Sequence, residues 1–302
     1  MIGKTGILAA AALSGAAAAA QGTGQEAPPV PAAVKPQPTA GTGAPSGSAT
    51  GAKIWFQIGV SPEITSEANL PRNTDSTKVG WLLGVDYVFA RGWTAKLSLG
   101  PSATVDSDRD SRESSSFDVG LALESSNPLV LGLTPTISYQ YTRKYQSFFA
   151  DRDGHQHTFE GTLNRQFKWR WATLDVPFGP QRIDASNAAD DYWAVRLRPK
   201  LTVPLLGDSV RLVLNLNLER RWYDETDPTI GRPRRDFRVE TVAGLNFAPV
   251  INRWLASQGN RQDIVREFTI GGRWIENNSN VDGQDKSSLR FTPSMTVRIP
   301  LN

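Results

Sequence analysis

From Trp193 onward every second residue is apolar: Trp193, Val195, Leu197, Pro199, Leu201, Val203 and Leu205. Ala194, Arg196, Arg198, Lys200, Thr202 and Pro204 lie between them. After Gly207-Asp208-Ser209 the alternation resumes with Val210, Leu212, Leu214, Leu216 and Leu218, against Arg211, Val213, Asn215, Asn217 and Glu219. Successive side chains of a strand point to opposite faces, so this stretch is a hairpin with one apolar and one charged face. The apolar rows are long enough to cross a bilayer core as tilted strands of about 9–11 residues.

The same period recurs along the chain. The apolar sets are Ile54 to Val60, Val79 to Phe89, Trp93 to Leu99, Phe117 to Leu123, Leu131 to Tyr141, Phe159 to Leu163 and Ala172 to Phe178. Phe237 to Phe247, Phe268 to Trp274 and Leu289 to Ile299 follow the hairpin. The pattern predicts roughly twelve strands, an even number, as expected of a closed antiparallel transmembrane barrel. Short connections (Ala90 to Gly92, Ser125 to Pro128, the Lys168-Trp169 region, Leu206 to Ser209) alternate with long polar ones. The latter are Ser61 to Thr77, Asp106 to Ser116, Thr142 to His155, Gly179 to Asp191, Arg220 to Asp236 and Glu276 to Ser288. Tight turns on one side and long loops on the other are the habit of such barrels. Pro249 to Asp263 breaks the rule, being long on the turn side, and Trp254 and Leu255 suggest a short interfacial helix there.

Residues 1–20 carry Lys4, an Ala-rich apolar run and a small-residue end at Ala18-Ala19-Ala20, the pattern of a secretory signal peptide. Residues 21–51 are Pro, Gly, Ala, Ser and Thr almost throughout and read as a disordered periplasmic linker. The barrel is expected over 52–302.

Composition adds limits. The chain is 39% hydrophobic, too little for a helical membrane bundle but compatible with a barrel whose inner face is polar. Nine tryptophans suit aromatic girdles at the two interfaces. There is no cysteine, hence no disulfide, no Cys-ligated metal and no lipidation site. A net charge of +3 gives no reason to expect nucleic acid as a partner.

With signal peptide, period-2 strands, sorted loops and aromatic ends together, residues 53–302 resemble the Gram-negative outer-membrane β-barrel proteins. The resemblance is architectural and picks out no subfamily. One departure is the ending Arg298-Ile299-Pro300-Leu301-Asn302, where the family usually places an aromatic residue. The resemblance implies an outer-membrane location with the linker in the periplasm. It also implies contact with outer-membrane lipid and lipopolysaccharide, delivery by the barrel-assembly machinery, and a periplasmic partner within reach of the linker.

If the apolar sets face lipid, the other sets line the lumen. Arg196, Arg198, Lys200, Arg211, Arg290 and Arg298 are the proposed channel-lining residues, and the first four form a basic cluster with no inward-facing acid on their hairpin before Glu219. Rings or stripes of arginine and lysine in a pore favour anions. The expected function is a narrow diffusion channel for small anionic or polar solutes, resembling in lumen charge the narrow oligosaccharide-specific porins. The alternative is a closed barrel serving as a structural, export or interaction scaffold through its loops. A more remote one is a lipid hydrolase. Gly154-His155-Gln156-His157-Thr158 with Asn164 faintly resembles the outer-membrane phospholipase site, but His157 stands where that family has its serine nucleophile. The chain is therefore read as a non-enzyme, with no catalytic residue, cofactor or metal site assigned. The loop acids Asp106, Asp108, Asp110, Glu113, Asp282 and Asp285 read as solvated tips.

Overall fold

The computed structural model describes residues 51–67, 74–89, 92–106, 114–146, 149, 151–227, 230–259, 263–281 and 285–301. The expected signal peptide, most of the expected linker, and Asp108, Asp110, Glu113 and Asp282 lie outside the described residues. The strands are β1 (Gly51–Glu67), β2 (Thr74–Phe89), β3 (Trp93–Asp106), β4 (Ser114–Ser125), β5 (Thr134–Gln146), β6 (Asp151–Lys168) and β7 (Thr173–Ala185). They continue as β8 (Tyr192–Leu197), β9 (Lys200–Leu205), β10 (Val210–Asp227), β11 (Arg232–Asn246), β12 (Val265–Ser279), β13 (Lys286–Phe291) and β14 (Ser294–Pro300).

Strands pair antiparallel with their sequence neighbours except β8 with β9 and β13 with β14, and the last two return to β1, where Phe56 stands opposite Ile299 and Ile64 opposite Phe291. The sheet is closed and has no free edge, as a bilayer requires of a spanning sheet. Fourteen strand segments make twelve staves, because β8 with β9 and β13 with β14 each fill one position between the same two neighbours. Both interruptions contain a proline, Pro199 and Pro293, which has no amide hydrogen for the ladder. The ladder resumes on either side: Arg198 N donates to Pro177 O at 2.8 Å and Leu216 N to Pro199 O at 2.9 Å. Thus the chain is an all-β, antiparallel transmembrane barrel of twelve staves.

The outer face carries the apolar sets. Leu83, Leu121, Ile137, Val195, Leu245, Leu289 and Ile299 are exposed, as lipid-facing residues must be. Trp169 and Trp171 stack at 5.9 Å in the β6–β7 turn, while Trp193 stands opposite Trp222 toward the other end. These place aromatic residues at both ends of the apolar band.

Three expectations need correction. The long polar segments are mostly strand: β1 runs on to Glu67, β7 to Ala185, β10 to Asp227 and β12 to Ser279. These extensions are largely polar, with only isolated apolar residues such as Ile183 and Trp222, so a search for alternating apolar residues stops short although the backbone ladder continues. Next, Leu129 to Leu133 belongs to no strand. Residues Val130–Gly132 form a 3₁₀ turn with Leu131 at φ 64°, which makes the Ser125 to Pro128 connection longer than expected. Finally, β1 begins at Gly51, the last residue of the expected linker.

The irregular connection on the turn side holds helix α1 (Ala248–Ser257), with proline in its first turn, where a missing amide hydrogen costs least. Asn252 ties α1 to β12, accepting from Val265 N at 3.0 Å and donating to Val265 O at 2.8 Å. Arg253 Nη1 donates to Ser209 Oγ at 2.6 Å in the adjacent turn, while Trp254 is left exposed.

Candidate functional site: the charged lumen

Strand parity decides which side chains reach the lumen. In β8 the outward Trp193 and Val195 are each more than half exposed, and the intervening Ala194 is buried. Arg196 and Arg198 follow Ala194 in parity, and Lys200 continues it across the Pro199 interruption. Arg211 stands opposite Pro204 and Asn246, Arg290 opposite Arg273, and Arg298 opposite Gln57. All six sequence-predicted basic residues lie on the inner face, confined to the staves from β8 to β14.

The cluster is not free of acids. Arg198 Nη2 donates to Glu160 Oε1, and Arg196 lies 3.4 Å from Glu160 Oε2 and 3.7 Å from Glu219 Oε2. Glu219 also accepts from Arg221 Nε at 2.7 Å. The hairpin itself supplies no inward acid before Glu219; Glu160 comes from β6, 36 residues before Arg196, and the register between strands brings them together. Further along the wall Glu240 accepts from Arg238 Nη2 at 3.0 Å and lies 3.0 Å from Arg273 Nε. Lys96 pairs with Glu124 at 2.8 Å.

Lys200 and Arg211 differ from these. Neither has a carboxylate within 4.0 Å among the described residues. Asp175 stands opposite Lys200 in register, but its carboxylate accepts from Gln166 Nε2 at 2.7 Å. The buried carbonyl oxygens of Asn215, opposite Lys200 in register, and of Asn164, on β6 opposite Pro177, have no protein hydrogen-bond partner. This half of the lumen, toward the short turns, thus presents cationic and amide groups that the protein itself does not satisfy, and such groups call for water or solute.

The opposite wall, β3 to β5, is mainly hydroxyl and amide, lined by Ser98, Ser102, Ser138 and Gln140, with Lys96 and Glu124 paired to each other. Its buried acid, Asp118, accepts from Ser116 Oγ at 3.1 Å, Gln140 Nε2 at 3.1 Å and Thr142 Oγ1 at 2.6 Å. Positive charge therefore concentrates on one side of the lumen.

Each described lumen ion pair joins residues on one strand, on neighbouring staves or on staves two apart. Arg196 and Glu160, for example, reach across β7 alone, and Arg298 and Asp86, 4.0 Å apart, across β1 alone. None of these pairs bridges the cationic and hydroxylated walls.

Several residues in the site escaped the sequence pattern. Trp55 points inward, 7% exposed, donating from Nε1 to Asp86 at 3.0 Å and stacked under Arg298 with the guanidinium 4.0 Å from its ring centre. Its parity, opposite to Ile54 and Phe56, was the available signal. At the loop end Asp236 is fully buried, held by Arg234 at 2.9 and 2.5 Å and by Asn277 at 3.3 Å. His155 and His157 face outward, in tilted contact with the Tyr141 ring at 6.4 and 5.1 Å, and His157 Nδ1 lies 3.0 Å from the Tyr139 hydroxyl. They and Asn164 point to opposite sides of the sheet.

No family model matches the chain, and no curated protein matches it. Among solved structures it is similar to the translocator domain of the autotransporter NalP from Neisseria meningitidis (12% identity, TM-score 0.43, covering 82% of this chain and 89% of that one). It is also similar to the β domain of the Bordetella autotransporter BrkA (14% identity, TM-score 0.40, covering 83% and 99%). A third is an anion-selective porin from Comamonas acidovorans (8% identity, TM-score 0.39, covering 83% and 100%).

Proposed function

We propose that this outer-membrane β-barrel is a narrow diffusion channel for small anionic solutes, with Lys200 and Arg211 as the attracting charges and no covalent chemistry. The observation that carries the reading is the direction of the ion pairs. They run along the wall, so the charges compensate one another without sealing the bore. A barrel filled to serve as a scaffold would be expected to join its walls by bridges across the lumen.

In this role the arginines from Arg196 to Arg273 supply a positive wall whose charge Glu160, Glu219 and Glu240 partly offset. Lys200 and Arg211, without carboxylate partners, are free to exchange water for a passing anion. The hydroxylated wall opposite offers hydrogen bonds to the solute's polar side.

Solute uptake into proteoliposomes tests this. Vesicles holding the refolded barrel should admit small anions faster than neutral solutes of equal size. The Lys200→Glu, Arg211→Glu double variant should reverse the order. Equal rates in both proteins would sink the role assigned to these two residues.

A further inference from the structure

The outer surface of β4 to β8 is not an even apolar band. A groove of about 570 Å³ interrupts it, lined by Leu121, Ile137, Phe159, Gly161, Pro180 and Trp193, with Arg182 at one end. These residues have outward parity and the groove's exposed surface is almost wholly apolar, so it opens to lipid, with the inward Lys96, Ala122, Ser138 and Glu160 bordering it from behind.

Gly161 is the informative residue. A Cβ added there would meet only Pro180 Cγ, at 4.0 Å, and its φ lies outside the left-handed region. Neither crowding nor backbone conformation calls for glycine. Gly179, by contrast, is crowded by the Gly161 carbonyl, which explains Gly179 and not Gly161. Glycine weakens a strand, and a β-branched residue would suit a lipid-facing position better. What the glycine preserves is the open volume.

The groove also has a direction. Leu121, Tyr139, Phe159, Arg182 and Trp193 occupy one register row across five strands. Rows run perpendicular to strands that themselves tilt by roughly 35–45°, so this row climbs the barrel. It starts at Leu121, four residues from the turn end of β4, and reaches Trp193, second residue from the loop end of β8. The low end is apolar. At the high end Arg182 lies 5.5 Å from the Trp193 ring centre and pairs with Asp184 and Asp224, each at 2.5 Å.

We infer that this groove is a lipid site, holding one acyl chain of an outer-leaflet lipid with its polar end beside Arg182 and Trp193. Its continuity with the lipid-facing band selects that occupant, and the apolar-to-polar gradient matches a chain that descends from the headgroup level. The site is independent of the lumen and of any transport through it.

The test is native mass spectrometry of the refolded barrel titrated with lipid A, the acylated part of lipopolysaccharide. Gly161→Leu fills the groove from its centre, and Leu121→Trp enters it from the β4 wall without altering β6. Gly272→Leu is the control, an outward glycine on β12 with only the Arg290 carbonyl, at 3.7 Å, near its added Cβ. Wild type and the control should carry one retained lipid. The groove-filling variants should lose it by about tenfold, as expected when about two buried methylene groups are displaced. Heat-modifiable migration verifies folding for each. Equal retention in all four proteins, no retention in any, or a wild-type oligomer that the filled variants fail to form would overturn the assignment.

Discussion

The guanidinium of Arg298, on the final strand, lies 4.0 Å from the centre of the Trp55 ring on the first. Its Nε also donates to Gln57 Oε1 at 3.1 Å, so one side chain spans the seam where the sheet closes. Arg298→Ala should lower stability to urea in detergent by about 1–2 kcal/mol, the range of a desolvated cation–π contact. Arg298→Lys should recover only part of that, lacking the planar face that stacks on indole. Full recovery by lysine would show that charge alone holds the seam.

Trp55 in turn depends on Gly84, its register partner, where any added side chain would overlap the indole. Gly84→Val should destabilise by roughly 1–3 kcal/mol through overpacking. The Gly84→Val, Trp55→Leu double variant should regain most of the loss. An additive pair of effects in urea titrations would contradict this coupling.

Glu160 reports on whether the lumen is wet. Glu160→Gln removes the carboxylate shared by Arg196 and Arg198. In a water-filled bore the arginines rehydrate, and the stability loss stays below about 1 kcal/mol. In a dry, filled barrel it would approach about 3–5 kcal/mol. The small loss is expected, together with a stronger preference for anions in conductance.

At the turn side, Asn252→Ala should release α1. Two hydrogen bonds to Val265 are lost, with a cost of about 1–2 kcal/mol. Hydrogen exchange should quicken in α1 and at Val265 while the strands stay protected. Unchanged exchange in α1 would mean that Arg253 and the apolar contacts suffice to hold it.

How far the chain could be read follows from the physics of a strand in lipid. Between Trp193 and Leu218, lipid demands apolar residues at alternate positions, so strand type, parity and the inward direction of Arg196 to Arg211 were all legible. The Arg198–Glu160 pair was not. Parity says which face a residue takes but not its height, and partners 38 residues apart meet only through two successive registers. Beyond the bilayer neither face need be apolar, so β10 from Arg220 and β12 from Glu276 were mistaken for loops. Leu131 misled in the opposite way, apolar and in phase yet seated in a turn on the aromatic-rich rim.

The reversal potential across a planar lipid bilayer, with the refolded barrel under a potassium chloride gradient, bears most directly on the proposed channel. Discrete conductance steps and a potential favouring chloride, moved toward potassium by Lys200→Glu with Arg211→Glu, are the predicted result. A folded barrel that passes no current, or one that prefers potassium before any substitution, would contradict it.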